Sequence, residues 1–488
     1  MLTKIKNKYN NLPVQVKASF WFLICSFLQK GISAITTPIL TRLLTTSEYG
    51  QYSVFNSWLT ILTVFVTLNL YSGVFTSGMV KFEERKAQFA SAMQGLCITL
   101  VAGWTVVYWL ARDYWNTLFS LTTVQMLCML IIMWATAAYN FWAVEQRVDF
   151  KYKSLVILTL IVSAAKPLIG IVFIILATDK VTALILGFTL VLLIGHTGLF
   201  FVQMKRGKVF FSVSIWKYAL SFNIPLIPHY LSMNVMGSAD RIMISNMVGT
   251  EAAGIYNLAH SVALIMTMFN RALLQTLEPW LYKKIKGNQI RDIPRVAYFT
   301  FILIALVNIV LIVFAPEIVA IFAPKAYYDA IWVIPPVTMS VYFMFAYTFF
   351  AVFEFYFKKT KFILIATVLG AIFNISLNYF LIPRFGYYVA GYNALLSYIL
   401  YTVMHYSMMR YICSNYMNGV DPYSLRILLI ITASFMFVGF ASLLSYNNVF
   451  LRFVLICILL IAFVVKYKKV KEIIKKLINI REENKNSH

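Results

Sequence analysis

The feature that most constrains the fold is a succession of apolar runs, each about 20 residues or longer, separated by short charged or turn-forming segments. A helix needs about 20 mostly apolar residues to cross a bilayer. Because the chain is 61% hydrophobic and only 12% charged, a single soluble core could not bury its apolar surface. We therefore predict an all-α, polytopic membrane protein of about 14 transmembrane helices, at approximate positions 18–42, 52–78, 89–111, 118–144, 154–177, 181–204, 218–248, 255–282, 296–323, 331–357, 362–382, 389–409, 426–446 and 449–465.

The distribution of Lys and Arg between the runs predicts the orientation of the chain. A net charge of +24 would suggest nucleic-acid binding in a soluble protein, but 32 of the 42 Lys and Arg residues lie on one side of the predicted helices and only six on the other. Because basic loops stay in the cytoplasm, both termini are predicted to be cytoplasmic, and no nucleic acid is expected as a partner. The apolar stretch after Lys17 has no signal-peptidase-like site, so we expect the first helix to remain in the mature protein.

A short internal repeat predicts the domain organisation. The sequence LLTT followed by GQYS, within residues 43–53, is matched by MVGT followed by GIYN, within residues 247–257. Each copy joins two predicted helices, as in carriers built from two similar bundles. We predict two pseudo-repeated six-helix lobes, an N-terminal lobe over 1–204 (helices 1–6) and a C-terminal lobe over 218–412 (helices 7–12). Helices 13 and 14 follow over 424–466, and a basic cytoplasmic tail occupies 467–488, either as a solvated topology anchor or as an amphipathic helix on the membrane surface.

Three basic residues lie near the centres of predicted helices. Lys30 is 13 residues from Lys17, Lys166 lies at a similar depth and is followed by Pro167, and Arg271 is also central. At about 1.5 Å per residue, these positions are close to the bilayer midplane. A charge there costs at least about 2.5 kcal/mol, so each residue is expected either to line a wet, substrate-accessible cavity or to pair with a neighbouring helix.

Predicted helix 7 carries two adjacent charges, Asp240 and Arg241, which point about 100° apart around the helix axis. Both are candidate substrate-binding residues, and the alternative for each is a bridge to another helix. Glu354 is expected to pair with Lys358, four residues further along the same helix. Since helices 1 to 6 contain no carboxylate in their interiors, a cavity on that side would be cationic and would attract anions.

The sequence lacks the short motifs that would indicate catalysis or nucleotide binding. Its five histidines have no metal-ligand spacing, and its five cysteines are scattered singly through apolar runs. We therefore expect no metal, no cofactor and no enzymatic activity.

Four segments resemble a family of bacterial transporters. They are PILTRLLTTSEYGQYSVFNSW (38–58), IPLIPHYLSMNVMGSADRIMISNMVG (224–249), EAAGIYNLAHSV (251–262) and LIPRFGYYVAGYNALLSY (381–398). They resemble the O-antigen and polysaccharide flippases often called Wzx, in the multidrug/oligosaccharidyl-lipid/polysaccharide exporter superfamily, and the likeness in helix number and order covers nearly the whole chain. The Asp240-Arg241 pair and the idea of a central cationic cavity come from this resemblance, whereas Lys30 and Lys166 are candidates because of their depth alone.

The resemblance implies a multi-pass protein of the bacterial inner membrane, active in O-antigen and lipopolysaccharide biosynthesis. Such a protein moves an undecaprenyl-diphosphate-linked oligosaccharide from the cytoplasmic to the periplasmic leaflet by alternating access through a cationic cavity. Its expected partners are the lipid-linked oligosaccharide, membrane lipids, a polysaccharide polymerase and a chain-length regulator. Two alternatives remain: a drug or cation antiporter of the same superfamily, which would need a buried carboxylate in the first lobe, and a membrane-embedded polysaccharide polymerase, which would usually have a large outer loop.

Overall fold

The computed structural model describes residues 13–417, 419–448, 450–455 and 457. Within these residues the chain forms helices, turns and no strand, which confirms the predicted all-α class. The α-helices are α1 (Val14–Leu43), α2 (Thr46–Thr67), α3 (Gly73–Lys81), α4 (Lys86–Leu110), α5 (Arg112–Phe119), α6 (Thr123–Val148), α7 (Tyr152–Leu176), α8 (Lys180–Gly207), α9 (Val213–Asn223), α10 (Ile227–Met247), α11 (Thr250–Lys286), α12 (Ile293–Val313), α13 (Ala315–Phe322), α14 (Ile334–Tyr356), α15 (Thr360–Phe385), α16 (Tyr388–Tyr416) and α17 (Leu425–Leu443).

The membrane-protein prediction is also confirmed. Ten helical segments of the described chain are long and apolar enough to cross a membrane, so the chain is a multi-pass membrane protein. Each of the first thirteen predicted runs contains an α-helix. The fourteenth run, 449–465, lies mostly outside the described residues, and the basic tail 467–488 lies wholly outside them.

Several of the predicted runs are divided into two helices, among them 52–78, 218–248 and 296–323. The run 52–78 breaks between α2 and α3, where Leu68 and Asn69 have positive φ angles of 48° and 53°. This left-handed conformation is uncommon for residues other than glycine, and here the Ser72 hydroxyl donates to the carbonyl of Asn69 over 2.8 Å. The run 296–323 breaks between α12 and α13, where Pro316 occupies the first turn of α13, a position at which its missing N–H is harmless.

The described chain forms two compact units that are divided at Ser238, within α10. Just before α10 the chain passes through a 3-10 turn over Ile224–Leu226, where Pro225 cannot donate a backbone hydrogen bond. Asp240 and Arg241, which follow this division and lie before the end of α10 at Met247, therefore belong to the second unit. The predicted lobe boundaries stay a prediction.

Close contact between α7 and α8 shapes the first unit. A Cβ atom on Gly187 would lie 3.0 Å from the Cα of Gly170, and a Cβ on Gly170 would lie 2.5 Å from the Phe188 ring. The two helices can therefore approach this closely because both positions lack a side chain. The approach places the Phe188 ring of α8 beside the polar face of α7.

Helix α14 is the central element of the second unit. It packs against α11, α12, α15, α16 and α17, and 83% of the residues in its most apolar 18-residue stretch are buried. Its aromatic side chains Phe345, Phe349 and Phe353 form the core together with Phe301 of α12. Since α14 is surrounded by protein, its polar side chains face other helices.

Candidate functional site

In the first unit, Lys166 projects from the middle of α7 onto an aromatic ring. Its ammonium group lies 4.6 Å from the centroid of the Phe188 ring, and the residue is half-buried. Among the described residues, no carboxylate forms an ion pair with Lys166. A cation–π contact is worth only about 0.5 to 2 kcal/mol, which leaves the ammonium group able to exchange the ring for an anion.

A histidine that the sequence did not single out lies close to this lysine. His196 of α8 is buried and is within electrostatic range of the Lys166 ammonium group. Its ring stacks on that of Tyr139 with centroids 4.6 Å apart, and the hydroxyls of Tyr139 and Thr159 share a hydrogen bond of 2.5 Å. The Nδ1 atom of His196 has no hydrogen-bond partner in the described part of the chain. No spacing rule could have linked these side chains, because they come from three different helices.

Lys30, on α1, lies at the same level of the bundle as Lys166. The neighbouring Gln29 donates a hydrogen bond to Ser163 of α7 over 3.1 Å, and Ser163 precedes Lys166 by nearly one helical turn. The Lys30 side chain is exposed. The packing of α1 on α7 thus brings both predicted lysines to similar depth in one unit.

Asp240 lies within a buried polar cluster of the second unit. Its carboxylate accepts hydrogen bonds from the Tyr256 hydroxyl at 2.7 Å and from the Asn378 amide at 2.6 Å. The Oδ1 atom of Asn378 in turn accepts from Asn393 at 2.9 Å. Asp240 therefore links α10 to α11 and α15, which corresponds to the interhelical bridge that was one of its two predicted roles.

Arg241 points in a different direction from Asp240, as their 100° separation requires. Its Nη1 atom lies 3.0 Å from Nδ1 of His260, on α11, and the residue is half-buried. The His260 ring stacks on Tyr256 with centroids 6.5 Å apart. Arg241 and His260 thus form a polar pair next to the Asp240 cluster.

Arg271, further along α11, is exposed and interacts electrostatically with the half-buried Tyr347 of α14. The Tyr347 ring lies parallel to that of Tyr398, 6.3 Å away, and 4.3 Å from that of Tyr401. No carboxylate among the described residues forms an ion pair with Arg271. The Tyr347 phenol is within electrostatic range of this guanidinium group.

The predicted pairing of Glu354 with Lys358 is wrong. Glu354 is bonded instead to Nδ1 of His405, on α16, over 2.7 Å, and both side chains are 0% exposed. Lys358 is exposed and has a positive φ of 57°, so it has already left the helix on which a four-residue pair would form. The sequence contains no signal for the true partner, because His405 is 51 residues away.

A second buried carboxylate was also missed, at the predicted cytoplasmic end of the first unit. Glu145 of α6 accepts hydrogen bonds from Gln203 at 2.7 Å and from Arg206 at 2.6 Å, and Gln94 donates to Gln203 at 2.7 Å. Because Arg206 neutralises this carboxylate locally, the group belongs to the helix packing near the membrane surface rather than to the region around Lys166.

Comparisons with known proteins point to one family. The sequence profile of a family described as "Polysaccharide biosynthesis protein" matches residues 16–284. The "Lsg locus putative protein 1" of Haemophilus influenzae (strain ATCC 51907 / DSM 11121 / KW20 / Rd) is 28% identical over 167 residues, which is 33% of this chain and 40% of that protein. An "Uncharacterized membrane protein" of the same organism is 21% identical over 370 residues, which is 73% of this chain and 87% of that protein. The chain thus spans less than half of the first relative and most of the second.

Solved structures share the fold at low sequence identity. The structure described as "Lipid II flippase MurJ, inward closed conformation" is similar with a TM-score of 0.67 and 14% identity, over 92% of this chain and 99% of that one. An outward-facing multidrug resistance MATE family transporter of the MOP superfamily is similar with a TM-score of 0.56 and 13% identity, over 83% of this chain and 97% of that one. The chain therefore shares the helical fold of these structures.

Proposed function

The chain belongs to the polysaccharide biosynthesis protein family, and from this premise we propose that it is a flippase for a lipid-linked oligosaccharide. In this proposal it moves an undecaprenyl-diphosphate-linked unit, such as an O-antigen repeat, from the cytoplasmic to the periplasmic leaflet of a bacterial inner membrane. Both termini face the cytoplasm, and a polysaccharide polymerase and a chain-length regulator act on the product.

The observation that supports the anionic substrate most directly is the charge inside the first unit. Lys30 and Lys166 are accessible, and they lie in the middle of two packed membrane helices. The described carboxylates of that unit lie near helix ends or in the segments between helices, as Glu145 does in the last turn of α6. An accessible positive charge in a low-dielectric region favours an anion, and a diphosphate offers several strong acceptor oxygens to ammonium donors.

In the proposed mechanism the diphosphate replaces the Phe188 ring as the partner of Lys166. The ring holds the ammonium group in place when no substrate is bound. Because this cation–π contact is weak, replacing the ring by the diphosphate costs little energy. Binding then neutralises charge in the membrane interior, so the loaded site can be exposed in turn to each leaflet. Outward movement of negative charge is favoured by a membrane that is negative inside, by about 2.3 kcal/mol per charge per 100 mV.

The two alternatives have less support. A cation antiporter would need a buried carboxylate in the first lobe, and Glu145, a buried carboxylate of the first unit, is already bonded to Gln203 and Arg206 near the end of α6. A polymerase would usually have a large outer loop, and two solved structures that share the fold are described as a lipid II flippase and a multidrug resistance transporter. We therefore propose transport rather than catalysis.

The test is performed in a bacterial strain from which the gene has been deleted. We expect lipid-linked repeat units to accumulate on the cytoplasmic leaflet, where they are protected from a glycan-modifying reagent added to intact cells. The wild-type gene should restore labelling from outside, and Lys30→Gln or Lys166→Gln should reduce it at least about tenfold, the effect of losing about 1.4 kcal/mol of differential interaction.

Arg112→Gln is the matched control, because Arg112 is an exposed cation at the first position of α5 that pairs with Asp113. This variant should restore labelling fully. Full restoration by both lysine variants would contradict the role of the cationic site, whereas accumulation of single units on the outside in the deletion strain would indicate a polymerase.

A further inference from the structure

The buried pair of Glu354 and His405 carries ionisable groups that the proposed transport mechanism leaves unused. The Oε1 atom of Glu354 lies 2.7 Å from Nδ1 of His405, and both side chains are 0% exposed. Neither Oε2 of Glu354 nor Nε2 of His405 has a hydrogen-bond partner among the described residues. Buried polar atoms are normally hydrogen-bonded, so two such atoms on one pair require an explanation. A pair that only tied α14 to α16 would gain nothing from leaving them unpaired.

Aromatic rings enclose the pair. The His405 ring lies 4.4 Å from that of Tyr401, 5.5 Å from that of Tyr347 and 6.2 Å from that of Phe362, measured between centroids. The hydroxyl of Tyr401 is bonded to Thr367 of α15 over 2.8 Å. These rings come from α14, α15 and α16, and they give the pair surroundings in which a net charge is poorly stabilised.

The charged groups on the surrounding elements do not neutralise the pair. In the part of the chain that the structure describes, the charged partner of Glu354 is His405. Other charges nearby have partners of their own, which are Tyr347 for Arg271 of α11, Tyr416 for Lys359 after α14, and Asp421 for Arg410 of α16. The elements α12, α15 and α17 contribute the rings of Phe301, Phe362 and Phe435, and the segment before α17 contributes the phenol of Tyr423.

Charge balance determines how many protons the enclosed pair holds. A carboxylate beside a neutral imidazole carries a negative charge, and protonation of both groups leaves a positive charge. A single extra proton makes the pair neutral overall, and this proton belongs to the pair rather than to either residue. Because a net charge enclosed away from water is strongly disfavoured, the enclosed pair holds this proton.

The pair lies near the predicted cytoplasmic end of its two helices. Glu354 is in the last turn of α14, which ends at Tyr356, and the exposed Lys358 follows. On α16, Arg410 lies little more than one turn after His405, and its side chain is 46% exposed. A limited separation of α14 and α16 at this end therefore lets cytoplasmic water reach the pair. In water a histidine loses its proton at about pH 6.5, so above that pH the hydrated pair binds one proton fewer than the enclosed pair.

From these observations we propose that Glu354 and His405 form a proton-binding site, which holds a proton while it is enclosed and releases it to the cytoplasm when α14 and α16 admit water. On release an N–H or O–H bond of the pair breaks, its electrons stay with the pair, and water accepts the proton. The inference rests on the proposed function, whose alternating access provides the opening. It adds a proton to what the transporter binds during its cycle.

The experiment measures how fast each histidine reacts with diethyl pyrocarbonate, a reagent that modifies hydrated, unprotonated imidazoles. The full-length protein is studied in lipid nanodiscs, and mass spectrometry locates the modified residues. Because opening releases one proton, the rate at His405 should rise about tenfold per pH unit between about pH 7 and 8.5. An imidazole that holds no such proton should react at a constant rate over this range. His260 is the internal control, since its neighbour Arg241 keeps its charge throughout.

Two glutamine variants assign the proton to the pair. Glu354→Gln removes the carboxylate and keeps an acceptor for Nδ1 of His405, so the rate at His405 should become independent of pH above about pH 7. Glu278→Gln is the matched control, because Glu278 is a half-buried carboxylate of α11 that interacts with Tyr282. This variant should keep the wild-type dependence on pH.

The wild-type protein alone can overturn the inference, without any variant having to fold. It is wrong if the ratio of modification at His405 to that at His260 does not change with pH, or if His405 is not modified at any pH. A wild-type dependence on pH in Glu354→Gln would overturn it as well. The proposed function fails separately, if the deletion strain does not accumulate lipid-linked units on its cytoplasmic leaflet.

Discussion

The buried pair of Glu354 and His405 should be among the most sensitive contacts for the stability of the second unit. The Oε1 atom of Glu354 lies 2.7 Å from Nδ1 of His405, both side chains are 0% exposed, and Oε2 of Glu354 has no hydrogen-bond partner in the described chain. His405→Leu would therefore leave a carboxylate with no hydrogen bond and no water. Removing one member of a buried pair costs about 3 to 5 kcal/mol, and we expect a loss of that size in the free energy of unfolding.

A double variant distinguishes the cost of breaking the Glu354–His405 hydrogen bond from the cost of changing the packing of the two side chains. In Glu354→Leu combined with His405→Leu, no polar group is left without a partner, and replacing both members of a buried pair by apolar side chains is often neutral. We therefore expect the double variant to be more stable than His405→Leu alone, which is a strongly non-additive result.

The assay is equilibrium denaturation of the purified protein in mixed micelles. Arg410→Ala serves as the control, since Arg410 lies on the same helix as His405 and pairs with Asp421 at a position where the side chains are 46% and 38% exposed. An exposed pair of this kind contributes no more than about 1 kcal/mol. A loss below about 1 kcal/mol for His405→Leu, or a double variant less stable than the single one, would refute the reasoning.

Two further substitutions test the packing of each unit. Gly207→Ala would place a Cβ atom 2.1 Å from the carbonyl oxygen of Ala87, so the backbone must shift, and we expect a loss of about 1 to 3 kcal/mol in denaturation. Gly198→Ala on the same helix meets no atom within 4 Å and should not lower stability, and equal losses in the two variants would contradict the close-contact argument. Asp240→Ala removes the acceptor of the Tyr256 hydroxyl and of one amide, and should cost about 1 to 3 kcal/mol for each buried donor left unpaired; unchanged stability would show that the cluster does not hold these helices.

The positions of the helices were predictable because the bilayer offers no water to hydrogen-bond with the backbone. A chain in hydrocarbon must satisfy its own backbone hydrogen bonds, so each long apolar run becomes helical. Breaks that depend on proline were also readable in principle, as at Pro316. The break at Leu68 and Asn69 was not, because two ordinary residues adopt positive φ there and only the contacts of the folded chain stabilise that conformation.

The candidate site was predictable only in part. The depth of a residue along an apolar run can be counted from the sequence, and this count was enough to select Lys30, Lys166 and Arg271 as cations near the middle of predicted helices. Which residue a charged side chain contacts depends on the three-dimensional packing of the helices. The pairing of Glu354 with His405 and the stacking of Tyr139 on His196 join residues 51 and 57 positions apart, and no local spacing rule applies over such distances.

The lengths of the apolar runs and the placement of charge between them are properties of the amino-acid sequence alone. They are enough to predict that this protein crosses the membrane many times with its basic loops in the cytoplasm. The contacts of each intramembrane charge depend instead on how the helices pack. Asp240 and Arg241 are neighbours in the chain, yet the carboxylate bonds to Asn378, 138 residues away, and the guanidinium group bonds to His260. A rotation of 100° per residue directs adjacent side chains to different helices, and the packing of those helices determines which partner each side chain meets.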